Sequence, residues 1–419
     1  MHILIMIIYI AFVTFGLPAS LLGATWPSMY QELHSSLAFA GVLSFTMAFT
    51  TAISSRYANV FVKKYGPGHT ATYSMLIFFI SVLGFALSPN IIIFFLCCIP
   101  YGVASGGLNA TINNYVATHY KSQYVSWLHA MWGLGAAAGP YIMRYTFSLG
   151  ANWHIGYLTV SIIILFTVFL MMITLSWWKD IPESKLLINR LKLNKLKTVN
   201  KKNDLNKIKK ETSDGGILKT FGIKGASQIV LMFFCYCAIE QTISLWATSY
   251  FVFSRNVDPK IAAGYGGLFF IGLTVGRIIS GFISMKLSDN KLIRLGEVLM
   301  LIGVGLLFVN NQKISLLGLI ILGVGCAPTF PTLLHLTAES FDKHLSEGII
   351  ITELTVAQLS TSFMPPIFGL LMKDEGSKTL LPVFLLIFLS IMIMLHIVFL
   401  IRVNKNKTIT PKNIIKNKK

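Results

Sequence analysis

Residues Ile3–Trp26 read ILIMIIYIAFVTFGLPASLLGATW, a run without a single charged side chain. A helix needs about 20 consecutive apolar residues to cross the hydrocarbon core of a bilayer. Only Met1 and His2 precede the run, and no small-residue cleavage site follows a short apolar stretch. It therefore reads as a retained membrane helix and not as a signal peptide. Comparable runs recur along nearly the whole chain. They predict further helices over about 36–58, 70–89, 91–118, 125–148 and 154–178, and, after a polar interval, over about 224–253, 261–285, 292–310, 313–340, 347–373 and 379–402.

Composition points the same way. The 419 residues are 54% hydrophobic and only 12% charged, whereas a soluble domain carries roughly 25% charged residues. The net charge of +19 is unevenly spread: 13 of the 35 Lys and Arg lie between Lys179 and Lys224, and seven more from Arg402 onward. Basic clusters just outside membrane helices follow the positive-inside rule and attract anionic lipid. Nucleic-acid binding would instead need a folded basic surface with stacking groups, and none is visible. Lys63, Lys64, Lys286, Lys291, Arg294 and Lys343 fall on the same predicted side as the basic interval and tail. Both termini are therefore expected in the cytoplasm, with the chain in the cell membrane.

The expected architecture is all-α and integral to the membrane, with twelve transmembrane helices in two six-helix bundles. Residues 1–178 form the first bundle, 179–223 a basic cytoplasmic linker, 224–402 the second bundle and 403–419 a basic cytoplasmic tail. Two related halves with a site between them near the midplane is a transporter outline. Such a unit can work as a monomer. The five cysteines, Cys97, Cys98, Cys235, Cys237 and Cys326, sit in apolar segments without metal or disulfide spacing. No metal site or cofactor is expected.

A polar group inside lipid is costly, which makes each one a functional candidate. On the seventh helix, Tyr236, Glu240, Gln241, Ser244 and Thr248 share a stripe about 140° wide at 100° per residue. A carboxylate beside an amide and hydroxyls suits a hydroxyl-rich ligand. The alternative is a Glu240 that pairs with a buried cation and ties helices together. On the fourth helix Ser105, Asn109 and Asn113 share a face, either as substrate contacts or as hydrogen-bonding glue between helices. The fifth places His129 on a face with Gly133, Ala136 and Pro140; a histidine can relay protons or pack. Thr332, His335 and Glu339 lie along the tenth helix, and Glu353 on the eleventh. Trp246 is either a sugar-stacking or an anchoring residue. The candidate substrate set is therefore Glu240, Gln241, Ser244, Trp246, Tyr236, Asn109, Asn113, His129 and Thr332. Glu240, Glu353 and His129 are the proton-coupling candidates. The basic and acidic residues near the loops after the second and eighth helices, Arg56, Lys63, Lys64, Arg277 and Asp289, are candidates for gating.

No phosphate-cradling loop, His-Glu-x-x-His or Gly-x-Ser-x-Gly element appears, which argues against an enzyme or an ATP-driven pump. Three stretches resemble the major facilitator superfamily: Arg56…Lys63-Lys64-Tyr65-Gly66; Leu128-His129-Ala130-Met131-Trp132-Gly133-Leu134-Gly135-Ala136 with Gly139-Pro140; and Ala327-Pro328-Thr329-Phe330-Pro331-Thr332. With Tyr236…Glu240…Trp246…Tyr250, the chain looks most like the fucose permease branch, the fucose/galactose/glucose:proton symporters and relatives. That resemblance implies two bundles, alternating access and a monosaccharide substrate, often with proton symport. The branch often has an acid mid-way along the first helix, where this chain has Gly16-Leu17-Pro18-Ala19-Ser20. Coupling would then fall to the candidates above, or the protein is a uniporter. Competing functions are export of amphipathic compounds and a non-transporting sensor or scaffold.

Overall fold

The computed structural model describes residues 2–120, 122–178, 220–372 and 379–407. All regular elements among them are helical. The first span is broken into α1 (His2–Gly16) and α2 (Leu21–Met29), followed by α3 (Phe39–Tyr65), α4 (Pro67–Leu87), α5 (Ile91–His119), α6 (Ser122–Ser148) and α7 (Trp153–Ile173). After the interval come α8 (Ala226–Ser249), the single turn α9 (Pro259–Ala262), α10 (Gly266–Ile283) and α11 (Asp289–Phe308). A second broken span, α12 (Gln312–Cys326) and α13 (Thr329–Ser340), precedes α14 (Lys343–Leu371) and α15 (Leu380–Lys407). Most of the predicted linker, 179–219, and of the tail, 408–419, lie outside the described residues.

Nine of these spans are long and apolar enough to cross a membrane. The remaining three, α3, α6 and α11, hold Arg56, Lys63 and Lys64; His129 and Arg144; and Asp289, Lys291, Arg294 and Glu297. Their polarity lowers the apolar signal without shortening the helix. The order matches the twelve spans expected from sequence.

Helix ends follow from local chemistry. Asn90, Asn152 and Asn311 cap α5, α7 and α12, each accepting from the backbone N–H three residues on, at 3.0, 3.3 and 3.3 Å. With alternating helix direction, all three caps fall at the end of the bundle that carries Trp26. The break in the first span falls at Gly16-Leu17-Pro18, where Leu17–Ser20 form a 3-10 turn. Proline there lacks the N–H that would continue the α-helical ladder. Ser20 Oγ then donates to Ala136 O of α6 at 2.6 Å.

The α1–α6 seam is built by absence of side chains. A Cβ at Gly135 would lie 1.9 Å from Val13 O, and one at Gly139 would lie 2.2 Å from Leu17 O. Small residues let membrane helices approach closely enough for dispersion to hold them. Within the run read as a motif in the sequence, Gly135 and Gly139 therefore form the packing surface for the first span.

The two sets of helices meet across a second group of contacts. Gln358 Nε2 of α14 donates to Ala48 O of α3 at 3.1 Å. Phe45 of α3 lies 5.2 Å from Phe363 of α14, and Tyr30 lies 6.0 Å from Phe253, ring centre to ring centre. A Cβ at Gly23 of α2 would reach 2.6 Å from Leu245 O of α8. These contacts lie in the half of the bundle that ends at Trp26, Leu37 and Phe253. Just beyond α8, a π turn at Tyr250–Ser254 presents Phe253 to that seal. Arg255 fixes the turn by donating to Tyr250 Oη at 2.8 Å, to Asn310 Oδ1 at 2.8 Å and to Leu307 O at 2.6 Å.

Gly135→Val should therefore lower the apparent melting temperature and the yield of monodisperse protein. Overpacking alone costs about 1–3 kcal/mol, and here the collision is with backbone. Gly281→Ala, where an added Cβ meets nothing within 4 Å, should leave both unchanged in the same fluorescence size-exclusion and thermal assays.

Candidate functional site

Glu240 lies two-thirds along α8 and is 8% exposed. Its Oε1 is 3.7 Å from a guanidinium nitrogen of Arg277 on α10. The sequence reading grouped Arg277 with the loop after the eighth helix; the structure instead places it inside α10, six residues before Ile283. Arginine there faces the one nearby carboxylate able to offset its charge away from water. At 3.7 Å the pair is a Coulombic contact and not a tight bidentate clamp. Arg277 keeps more exposure (23%) than Glu240 (10%) at the side chain, so the guanidinium is the partner that faces open space.

Other groups converge on this pair. Tyr236, Cys237 and Cys326 all lie within electrostatic reach of Glu240. The Tyr236 hydroxyl is buried and has no hydrogen-bond partner, so its polar end is uncommitted. From α6, Gly133 abuts Thr274 of α10, where a Cβ would come 2.5 Å from Thr274 Oγ1. Trp132 lies 6.4 Å from Phe270. One turn before Gly133, the exposed His129 lies within electrostatic reach of Arg277, and its ring meets Phe12 edge-on at 6.4 Å. The fifth, seventh and eighth spans thus bring His129, Glu240 and Arg277 to a shared wall between the two sets of helices. Gln241 and Ser244 are half-buried on the same helix as Glu240. Ser244 Oγ donates to Glu240 O at 2.6 Å, while Gln241 keeps its amide free among the described residues.

The remaining candidates have partners or burial of their own. Asn113 Nδ2 donates to Asn109 Oδ1 at 2.7 Å and to Asn109 O at 2.9 Å. Both asparagines are half-buried, and this mutual bond leaves Asn109 Nδ2 and Asn113 Oδ1 for a further partner. Trp246 is fully buried and donates its indole N–H to Pro365 O at 2.9 Å. Its polar edge is therefore engaged with α14, which makes it a tie between helices in this conformation and not a stacking platform. Thr332 is buried in the first turn of α13. Glu353 of α14 is also buried, and Thr337 Oγ1 donates to its Oε1 at 2.5 Å. Its other oxygen has no partner, and no cation faces it among the described residues.

Of the gating candidates, Arg56, Lys63 and Lys64 are exposed at the end of α3. Asp289 opens α11 and meets His335 of α13 at 2.7 Å, with Glu339 at 3.9 Å from the same ring nitrogen. These three place their ligand-type atoms within 4.8 Å of one another and are the residues that could hold a metal. His335 and Glu339 are 63% exposed at the side chain, and an imidazole between two carboxylates satisfies the cluster as an ion triad.

Sequence reasoning missed the partner of Glu240, although Arg277 already lay within the predicted span 261–285. It also missed Glu297 on α11, whose carboxylate meets His396 of α15 at 3.0 Å. Two ionisable residues inside apolar runs were the available signal; sequence alone does not pair helices.

The family model described as Major Facilitator Superfamily matches residues 8–351 and 229–415. The chain belongs to this superfamily. As a major facilitator protein it is a transporter and not an enzyme. It is 23% identical over 361 residues to the glucose/mannose transporter GlcP of Bacillus subtilis, covering 84% of this chain and 83% of that protein. Its fold matches a crystal structure of a D-xylose-proton symporter with a TM-score of 0.72 at 14% identity, covering 93% and 96% of the two chains. It matches an inward-open conformation of the xylose transporter XylE from E. coli at 0.69 and 14%, covering 93% and 94%. The fucose permease branch is a narrower reading than these similarities carry.

Removing one partner of a buried pair strands the other. Glu240→Gln and Arg277→Gln should each destabilise the protein by about 1–3 kcal/mol, the partial exposure of Arg277 reducing the roughly 3–5 kcal/mol of a fully buried pair. The double variant should recover most of that loss in thermal unfolding. Simple addition of the two single effects would show that the groups do not interact.

Proposed function

We propose that this major facilitator protein moves a monosaccharide or similar polyol across the cell membrane by alternating access. The observation that carries the proposal is the Glu240–Arg277 pair at the wall between the two sets of helices. It is flanked by the uncommitted amide of Gln241, by Ser244 and by the exposed His129. A loose ion pair offers both hydrogen-bond acceptors and donors to vicinal hydroxyls, and a ligand can compete for it without leaving a charge bare. The glucose/mannose name of the Bacillus relative supports the substrate class. The fucose permease branch fits the same chemistry. Asn109 and Asn113 supply further donors and acceptors from the fourth span.

The state described is inward-facing. The cross-half contacts gather at the Trp26 end, and the basic residues of the opposite end support a cytoplasmic side for both termini and the 179–223 linker. Residues 1–178 and 224–402 move as the two bundles. Arg56, Lys63, Lys64 and the Asp289–His335 pair lie at the cytoplasmic mouth, where closure would bring the halves together.

Proton coupling, where it operates, falls best to Glu353. Glu240 already faces Arg277, whereas an ionised Glu353 would have no cation to offset it among the described residues. It lies on α14, which also carries the Gln358 contact to the first bundle, so its charge state bears on an element that crosses the interface.

Uptake of radiolabelled hexoses, pentoses and deoxysugars into proteoliposomes tests the proposal, with and without a proton gradient. Glu240→Gln should lower sugar uptake by at least about tenfold, the loss of one charge-assisted contact. Glu353→Gln should retain sugar exchange and lose gradient-driven accumulation. Transport of none of these sugars, with export of an amphipathic cation instead, would overturn the assignment.

A further inference from the structure

Outside the Glu240 wall, Asp289, His335 and Glu339 bring one imidazole and two carboxylates together from two helices. His335 and Glu339 stand one turn apart on the same face of α13, and Asp289 comes from the first turn of α11, which packs beside α13. His335 Nδ1 is 2.7 Å from Asp289 Oδ2 and 3.9 Å from Glu339 Oε1, and the three donor atoms lie within 4.8 Å of one another. An ion with metal–ligand distances of roughly 2.0–2.2 Å sets its ligand atoms about 3.0–3.4 Å apart. The observed spacings lie on either side of that range, so side-chain shifts of about 1 Å or less bring all three donors onto one ion. The Asp289 side chain is 17% exposed and already turned towards α13, whereas His335 and Glu339 are 63% exposed. The cluster therefore has one anchored donor, two that can adjust, and an outer side open to a hydrated ion.

The cluster also gathers more negative charge than its protein neighbours offset. A single imidazole, even when protonated, balances one of the two carboxylates. No Lys or Arg among the described residues forms an ion pair with either of them, although Lys286, Lys291 and Arg294 are exposed close by in sequence. Glu339 lies in the last turn of α13, where the unsatisfied carbonyls of the helix end disfavour a further negative charge and attract a cation.

We propose that Asp289, His335 and Glu339 bind one divalent first-row metal ion of the zinc class. The ion joins the start of α11 to the end of α13, at the end of the second bundle opposite Trp26. The donor set selects the ion. An imidazole nitrogen with two carboxylate oxygens suits Zn2+, Co2+ or Mn2+, whereas Mg2+ and Ca2+ favour oxygen alone and Cu(I) favours the thiolates that this cluster lacks. Three protein ligands leave the remaining coordination positions to water. The site is separate from the Glu240–Arg277 pair, so it stands whatever solute the carrier moves.

The test uses the full-length protein, purified without a polyhistidine tag and reconstituted into liposomes, with Zn2+ alone as the probe. Equilibrium dialysis should show one tight Zn2+ per chain that millimolar Mg2+ does not displace. X-ray absorption of the loaded protein should show an imidazole and oxygen ligands with no sulfur. Asp289→Asn, His335→Gln and Glu339→Gln should each weaken binding by at least about tenfold, the low end of the loss seen when even an outer-shell partner is removed. His69→Gln, an exposed histidine on α4, should bind as the wild type does. Unchanged affinity in His335→Gln, or displacement of Zn2+ by Mg2+, would leave only a solvated ion triad and overturn the site. Loss in the two α13 variants with unchanged binding in Asp289→Asn would overturn the bridge between helices. The exposed positions of His335 and Glu339 tolerate substitution, so if Asp289→Asn fails to fold, the His335→Gln affinity and the imidazole signal of the wild type decide the site.

Discussion

A hydrocarbon slab offers no water to a charged side chain, so each ionisable group inside it needs a partner supplied by another helix. That demand organises the second set of helices. Glu240 of α8 meets Arg277 of α10, Glu297 of α11 meets His396 of α15, and Glu353 of α14 takes a hydroxyl from Thr337 of α13. Each pairing crosses between different helices, which makes it a constraint on their register. One residue of slip on α8 would rotate Glu240 by about 100° away from Arg277. The pairs consequently specify how these helices face one another, in a setting where apolar packing alone discriminates weakly because lipid is as apolar as leucine.

The first set relies on close backbone approach, which the second set also uses at Gly272 against Ile320 O and Gly323 against Phe269 O. Among the described residues of α1 to α7 there is no acid inside a span, and the close contacts run through glycine and serine: Gly135 against Val13 O, Gly139 against Leu17 O, Ser20 onto Ala136 O. Thr51 and Ser54 of α3 similarly donate to Gly102 O and Val103 O of α5. A bundle held by backbone-to-backbone approach is stiff, because no long side chain lies at the seam to absorb a shift. A bundle held by ion pairs has groups whose charge a ligand or a proton can alter. What separates the two sets is that the buried acids Glu240, Glu297 and Glu353 all lie in the second. Where the resemblance leads one to expect an acid in the first helix, a Cβ at Gly16 would already lie 2.2 Å from Trp132 O of α6.

The helix count and order were legible because about 20 apolar residues in a row admit one reading, and even α3, α6 and α11 lost only contrast. The breaks at Gly16-Leu17-Pro18 and Ala327-Pro328 were visible as residues but not as breaks, since proline is tolerated in membrane helices when neighbours satisfy the freed groups. At the candidate site the stripe around Glu240 was readable from periodicity within one helix. Its partner was not, because Arg277 is 37 positions away in a different helix and periodicity has no information on which helices touch. Trp246 shows the opposite failure. Its place on α8 suits a cavity, yet Gly369 opens a slot in α14 where a Cβ would come 2.7 Å from the indole, and Pro365 O accepts its N–H. Pro365 and Pro366 lack N–H groups and free the carbonyls of Thr361 and Ser362, one turn before the Pro365 O that accepts the indole N–H.

The same geometry separates the two roles that a carboxylate can play in a carrier. A group that recognises the cargo must be reachable from the cavity and must tolerate being bare between ligands. Glu240 meets this condition because Arg277 offsets its charge at 3.7 Å, close enough to neutralise and loose enough to be displaced. A group that carries a proton must instead be poorly compensated, so that gaining or losing the proton changes the energy of the state it sits in. Glu353 meets that condition, with one oxygen on Thr337 and the other unpartnered. Thr337 and Glu353 lie on α13 and α14, and α14 reaches the first bundle through Gln358 and Phe363. Its charge is therefore placed where a local change becomes a change in how the halves meet.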